Sequence, residues 1–447
     1  MINLRRAVAA ASLFLLADCS VLGGSSVPVP AGGLVVGDEP DAVRIGAAIL
    51  AHGGNAVDAV TATYFALSVT YPVAAGLGGG GLCVVHDRVH SRTEAFDFLA
   101  REPGRGGAYA VPGNVGGFSL LQASYGRLPW QRLISPAEGS AATGFPISQA
   151  LAVRLASSQD YIRLDAGLSA EFLDETGKVK AAGTIVSAPA LAETLSEIRR
   201  LGSSAFYDGD IATQLTAYSN SEGGRISAED LSSYSARRIA PSTMRIGDET
   251  IFLPPSPTGA GKFAAALLSH LVDAAGQPVQ TDNLSASVAA ATKTAMDAFG
   301  LGSLPRDLGA TGFAAEDPDG LSVACAVTMN GPFGSAHTAS GTGITLAIAP
   351  DSAQTGLAGA FLTPVIAADS DGATALVGAG AGGPNGTAAI ALALLELAAG
   401  RDITHPGVLH STGIAPYDTV NVIGCQNSIC SALPDPGAHG LGAAGTQ

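Results

Sequence analysis

At 447 residues, 47% hydrophobic and only 14% charged, the chain is long and apolar enough to bury a large core, which excludes intrinsic disorder. Lys plus Arg number 23 against 38 Asp plus Glu, and the resulting net charge of -15 would repel a phosphate backbone, so nucleic acid is not an expected partner. Glycine is abundant at 58 residues and clusters in the runs 76–81 and 378–383, where the backbone is expected to approach something closely.

The N-terminus reads as an export signal: Arg5 and Arg6, an apolar stretch from Ala7 to Ala17, then Cys19. It is too short for a membrane-spanning helix. Leu16-Ala17-Asp18-Cys19 resembles a lipoprotein cleavage box with Cys19 as the acylation site, although Asp18 stands where a small residue is usual, so ordinary secretion stays open beside a lipid anchor. Either route places the chain in a bacterial envelope, periplasmic or membrane-anchored. Residues 1–33 are then signal and tether.

Pro40 opens a first helix that Gly53-Gly54 stops, and Asn55 is placed to cap a second from Ala56 to Val69. A glycine turn at 76–81 leads into a strand from Leu82 to His86, with 94–100 as its partner. Residues 114–205 are mainly helical. Ser227 and Asp230 have capping-box spacing. Strands near 243–253 precede a proline-rich break and a helix over about Lys262–Ala274. Residues 311–349 are strand-rich and 384–399 helical, so strands separated by helical blocks predict a layered protein of helices and sheets. No internal repeat is present.

Cys425 and Cys430, in GCQNSIC, are the candidate disulfide expected of an exported protein, while Cys83 and Cys325 lie in apolar runs and read as buried small hydrophobes. The eight histidines show no ligand spacing with cysteine or carboxylate, so no metal or other cofactor is expected.

In order along the chain, HGGNAVDA at 52–59, GLGGGG at 76–81, VPGNVGGF at 111–118, YGRLPWQRLISPAEGSAATGFPIS at 125–148, GGRISAEDLSSY at 223–234, LPPSPTGAG at 253–261 and MNGPFGSAHTASGTGI at 329–344 resemble the gamma-glutamyltransferase family of N-terminal-nucleophile hydrolases. The resemblance implies an α+β fold, a four-layer αββα sandwich built by a large-subunit region (34–310) and a small-subunit region (311–447) of one self-cutting precursor. It also implies a threonine nucleophile whose freed α-amine is its own base, acting on a small-molecule γ-glutamyl or related acyl amide.

The family's strand opens with two threonines, the first catalytic. Counting back from Asp317-Pro318-Asp319-Gly320 puts the catalytic slot on Ala310 and the second on Thr311. Either the strand is one residue shorter here and Thr311 is the nucleophile, or the chain does not process and serves as an envelope binding or scaffold protein. Thr328 matches the family residue beside the nucleophile. Asn330 matches one that supports the substrate, although Asn330-Gly331 is equally a hairpin dipeptide. Gly382 and Gly383 match the oxyanion-hole pair. Leu99 stands in the arginine slot of the substrate pocket, and Arg101, two residues on, is the candidate substitute. Asp351 is one place short of the acidic residue that grips the substrate amine, and the dozen residues between it and Pro364 leave no obvious lid.

Overall fold

The computed structural model describes residues 32–255, 258–281, 283–300, 303–350, 357–405, 409, 417–427 and 429–446. The export signal, Cys19 and Asp351 lie outside the described residues.

Strand β1 (Leu34–Gly37) enters the core and passes directly into helix α1 (Pro40–Ala51). Proline sits in the first turn, and the Glu39 carboxylate accepts from Ala42 N at 2.8 Å, which stops the orphan donors of that turn from being buried unpaired. Helix α2 (Ala56–Thr70) begins at a full capping box, Asn55 Oδ1 accepting from Asp58 N and Asp58 Oδ2 from Asn55 N. All of its residues are buried, so it lies inside a layer rather than on a surface.

Strands β2 (Gly80–Asp87) and β3 (Arg92–Phe98) form a hairpin, and helices α3 (Asn114–Tyr125) and α4 (Trp130–Thr143) open the long helical region. Strand β4 (Arg237–Ile239), the hairpin β5 (Ser242–Ile246) and β6 (Glu249–Leu253), and helices α5 (Gly259–Ser269) and α6 (Leu284–Ala298) follow. Helix α5 starts earlier than its apolar pattern suggests, because Thr258 Oγ1 accepts from Gly261 N and fixes the first turn there. The rest comprises β7 (Ala310–Glu316), β8 (Leu321–Thr328), β9 (Thr363–Ala368), β10 (Thr374–Ala381), α7 (Pro384–Ala398), β11 (Thr419–Gln426), β12 (Ile429–Leu433) and β13 (Leu441–Ala444).

Two antiparallel sheets result, of order β13-β1-β7-β8-β2-β3-β4 and β12-β11-β10-β9-β6-β5. Each takes strands from both the 34–310 and the 311–447 regions, so neither region has a complete sheet alone. The sheets stack through Val84, Ala314 and Ala324 on one side and Ile366, Val377 and Ile423 on the other, with alanines allowing close approach. Phe65 and Phe118 pack with Phe313, Val323 and Val327 on one outer face, and Leu267 and Leu394 with Leu376 and Val420 on the other. Each such buried side chain contributes roughly 1.5–3 kcal/mol. The architecture is a four-layer αββα sandwich.

Cys83 and Cys325 are not free buried thiols, as their apolar surroundings suggest. They are Cα partners across β2 and β8 and are joined in a disulfide between segments 242 residues apart. Side chains directly opposite on neighbouring strands are within bridging reach, a pairing that sequence distance conceals. Replacing both by alanine is expected to lower stability by about 3–5 kcal/mol, read as a lower denaturant midpoint at unchanged slope.

Candidate active site

The start of β7 lies at one end of the sandwich, and segments distant in sequence meet there. Ala310 is the Cα partner of Thr328, and Thr311 that of Val327. Alternation then decides what each side chain meets. Ala310 faces the space between the sheets, in an apolar cluster with Leu82, Leu99, Leu362, Ala379 and Ala381. Thr311 shares its parity with Phe313 and Ala315, which pack on the helix side.

The Thr311 hydroxyl is fully buried and donates to Asp38 Oδ2 at 2.6 Å. Asp38 follows β1 directly and also accepts from Thr419 Oγ1 (2.9 Å) and Asn421 Nδ2 (2.7 Å) of β11, so one carboxylate ties together strands of both sheets. Burial pushes the Asp38 carboxyl above the usual carboxylate range, against the lowering effect of these donors and of the Arg154 charge.

Thr328 turns its hydroxyl toward the residues just before the strand, donating to Gly309 O (3.0 Å) and Leu308 O (3.2 Å) and accepting from Asn330 N (2.9 Å). Asp307 holds the same segment by accepting from Gly309 N at 2.8 Å. Fully buried Arg154 grips Asp307 with two nitrogens, at 2.6 and 3.0 Å, and reaches the Tyr71 hydroxyl at 3.3 Å. Gly309 has φ of +59°, and a Cβ on it would lie 1.9 Å from Gly331 O, so only glycine fits immediately before Ala310.

Gly382 and Gly383 join β10 to α7, next to Ala381 of the Ala310 cluster. Gly382 has φ of +95°, and a Cβ there would meet Tyr417 O at 1.7 Å. The pair therefore has a demanding local geometry as well as a place at a helix N-terminus, where backbone N–H groups favour negative charge.

Arg101 and Asn330, the expected substrate contacts, both have partners within the protein. Strand β3 ends at Phe98, and Arg101, two residues beyond Leu99, pairs with Val111 in an isolated antiparallel bridge. Its guanidinium lies over the Tyr234 ring at 4.7 Å and donates to Ser235 O at 2.9 Å, while the Tyr234 hydroxyl donates to Leu99 O at 3.1 Å. Asn330 is not the corner of a tight hairpin. It has φ of +60° and donates through Nδ2 to Ile348 O at 2.9 Å, closing a longer loop that returns alongside it. Asp351 lies outside the described residues.

Asp38, Arg154, Asp307, Thr419 and Asn421 carried no local signal in the sequence, since no two groups of them share a motif spacing. Glu39, next to Asp38, is held up to about 7 chiefly by burial, although Ala42 N and Thr70 Oγ1 donate to it. A carboxyl raised in the folded state contributes stability below its unfolded value of 4.5 and loses it as pH rises through about 7. Stability is therefore expected to fall between pH 5 and pH 8, and Glu39→Gln to flatten that fall by on the order of a few kcal/mol in denaturation measured across pH.

The layered frame, with a strand start facing a Gly-Gly helix start, defines the class: the N-terminal-nucleophile hydrolase fold. Cephalosporin acylase from Bacillus halodurans superposes with a TM-score of 0.73 over 97% of this chain and 99% of its own, at 18% identity. Helicobacter pylori gamma-glutamyltranspeptidase superposes at 0.53 over 62% of this chain and 84% of its own, at 26% identity. The pattern of the gamma-glutamyltranspeptidase family matches residues 42–298, and the chain belongs to that family. It is 33% identical over 243 residues to glutathione hydrolase 2 of Arabidopsis thaliana, and 31% identical over 261 residues to the glutathione hydrolase proenzyme of Escherichia coli K12. These matches take in 51% and 54% of this chain and 42% and 45% of those relatives, so less than half of each relative's length is represented. Thr311, Thr328, Gly382 and Gly383 all lie beyond residue 298, outside the span of the family match.

Proposed function

We propose that the chain is an exported amidohydrolase or acyltransferase of the gamma-glutamyltranspeptidase class, with Thr311 as its nucleophile after cleavage of the Ala310–Thr311 bond. The observation that carries this reading is the meeting, at one end of the sandwich, of the start of β7, whose single hydroxyl is Thr311, with the segment 308–309 held by Thr328 and, through packing of Ala310 with Ala381, the end of β10 that leads into Gly382-Gly383. Cleavage would free an α-amine of ordinary pKa about 7.7–8, substantially neutral at working pH and adjacent to its own hydroxyl. That hydroxyl would attack a γ-glutamyl or related acyl amide, the Gly382 and Gly383 N–H groups would meet the developing oxyanion, and water or an amine would release the acyl group. Leu99 in place of the arginine argues for a less charged acyl group than glutamyl.

A second reading has its own observation. Ala310, without a nucleophile, occupies the position that faces the glycine side, while the Thr311 hydroxyl is fully buried on Asp38. This favours an uncut chain acting as an envelope binding or scaffold protein. Intact-mass analysis after long incubation separates the two: fragments meeting between Ala310 and Thr311 support the enzyme, and a single unbroken chain supports the second reading. Titration with γ-glutamyl and simple acyl anilides then identifies the acyl class.

A further inference from the structure

At the opposite end of β7, Glu316 points between the sheets toward the β11–β12 hairpin. Cys425 and Cys430 are Cα partners across that hairpin and are joined in a disulfide. A Glu316 carboxylate oxygen lies 3.2 Å from Cys425 Sγ. The sulfur of a disulfide has no proton to give, so this contact supplies no hydrogen bond. Among the described residues no N–H or O–H group donates to that carboxylate, and Glu316 is 9% exposed. Glu316 also lines a cavity, so its carboxylate is open to a ligand from that side. The three side chains present one oxygen and two sulfurs, all within 4.8 Å of one another. They lie on the wall of a cavity of about 670 Å³ that also takes in Arg88, Asp369 and Asn427.

We propose that reduction of the Cys425–Cys430 disulfide turns this corner into a binding site for a borderline-soft divalent cation such as zinc, held by two thiolates and the Glu316 carboxylate. The reductant is a dithiol: it gives two electrons and two protons to the S–S bond, leaves two cysteine thiols, and itself closes to a disulfide. Metal binding then releases the two thiol protons to solvent. Tetrahedral zinc with Zn–S bonds of about 2.3 Å needs its sulfurs about 3.8 Å apart, so the two cysteine side chains must swing apart once the S–S bond is gone. The fourth position opens on the cavity, so water or a small anionic ligand completes the shell. The Cys83–Cys325 bridge, fully buried in the sandwich, holds the frame during this change. The site is independent of Thr311, which lies at the other end of the same strand.

The test uses full-length protein carrying Cys19→Ser, oxidised or reduced with a phosphine that is then removed without oxygen, and titrated with cobalt(II) alone. The reduced protein is expected to take up a single equivalent, showing a thiolate-to-cobalt charge-transfer band and the visible bands of tetrahedral cobalt, both displaced by zinc. The oxidised protein is expected to show neither. Cys425→Ser with Cys430→Ser is expected to abolish the bands. Glu316→Gln is expected to weaken cobalt binding by roughly tenfold or more while leaving the same two thiols to titrate after reduction. Equal binding by oxidised protein, bands that survive the double serine change, unchanged affinity in Glu316→Gln, no bands in reduced protein with both thiols free, or unfolding on reduction would each overturn the proposal.

Discussion

Thr311→Ala is expected to leave one unbroken chain in intact-mass analysis and to lower turnover of an acyl anilide by at least about a thousandfold, because only binding and the oxyanion donors would remain. Thr311→Ser is expected to keep both cleavage and a measurable part of the activity, since serine retains the hydroxyl that the chemistry uses. A merely structural role for Thr311, as a donor to Asp38, would give a different pattern: all three proteins uncut and inert, with the alanine variant less stable. In that event Ala310→Thr becomes the decisive variant. It places a hydroxyl in the inter-sheet cluster beside Ala381, in the slot that register assigns to the nucleophile. Cleavage before residue 310 in that variant alone would establish an intact scaffold lacking its nucleophile, and an uncut chain would show that the surrounding pocket has changed as well.

Arg154→Met is expected to destabilise the fold by about 3–5 kcal/mol, the cost of leaving the Asp307 carboxylate, only 11% exposed, without its cation. Urea or guanidinium denaturation reads this as a midpoint shift. Arg154→Met combined with Asp307→Asn is expected to cost less than the sum of the single changes, because no uncompensated charge remains. The same pair fixes the backbone just before β7 through Gly309 N, so amide exchange at 309–311 is expected to accelerate in Arg154→Met beyond the change seen in α2. Uniform acceleration across both elements would mean that Arg154 stabilises the whole fold without holding this segment in particular.

Much of the fold was legible because its determinants are local. The cap at Asn55, the capping box at Ser227 with Asp230, proline in the first turn at Pro40, and the apolar runs of β2 and β8 each specify their element within a few residues. The site was legible only in part. Thr328 holds the segment 308–309 through its hydroxyl, and Gly382-Gly383 open a helix, as the glycine run before an apolar stretch suggests. Arg101 shares a face with Leu99 only if the segment stays extended, and the strand ends at Phe98 with the Tyr234 ring under the guanidinium. The Asn330 amide closes a loop onto Ile348, a contact that its dipeptide does not announce. The Asp38 cluster could not be read at all. Its members come from β1, β7 and β11, and only the stacking of two sheets brings them within 3 Å of one carboxylate.

The sequence by itself determined the layered class, the helix starts, and the fact that residue 310 is an alanine and residue 311 a threonine. Which of those two faces the glycines was decided by tertiary structure. A strand's side chains alternate, so a shift of one residue exchanges the inter-sheet face for the helix face, and that choice is fixed by pairing with β1 and β8 rather than by anything within β7. The same holds for the Cys83–Cys325 disulfide, whose cysteines, 242 residues apart, are partners only because antiparallel register sets them opposite each other, whereas the close spacing of Cys425 and Cys430 already pointed to their bridge.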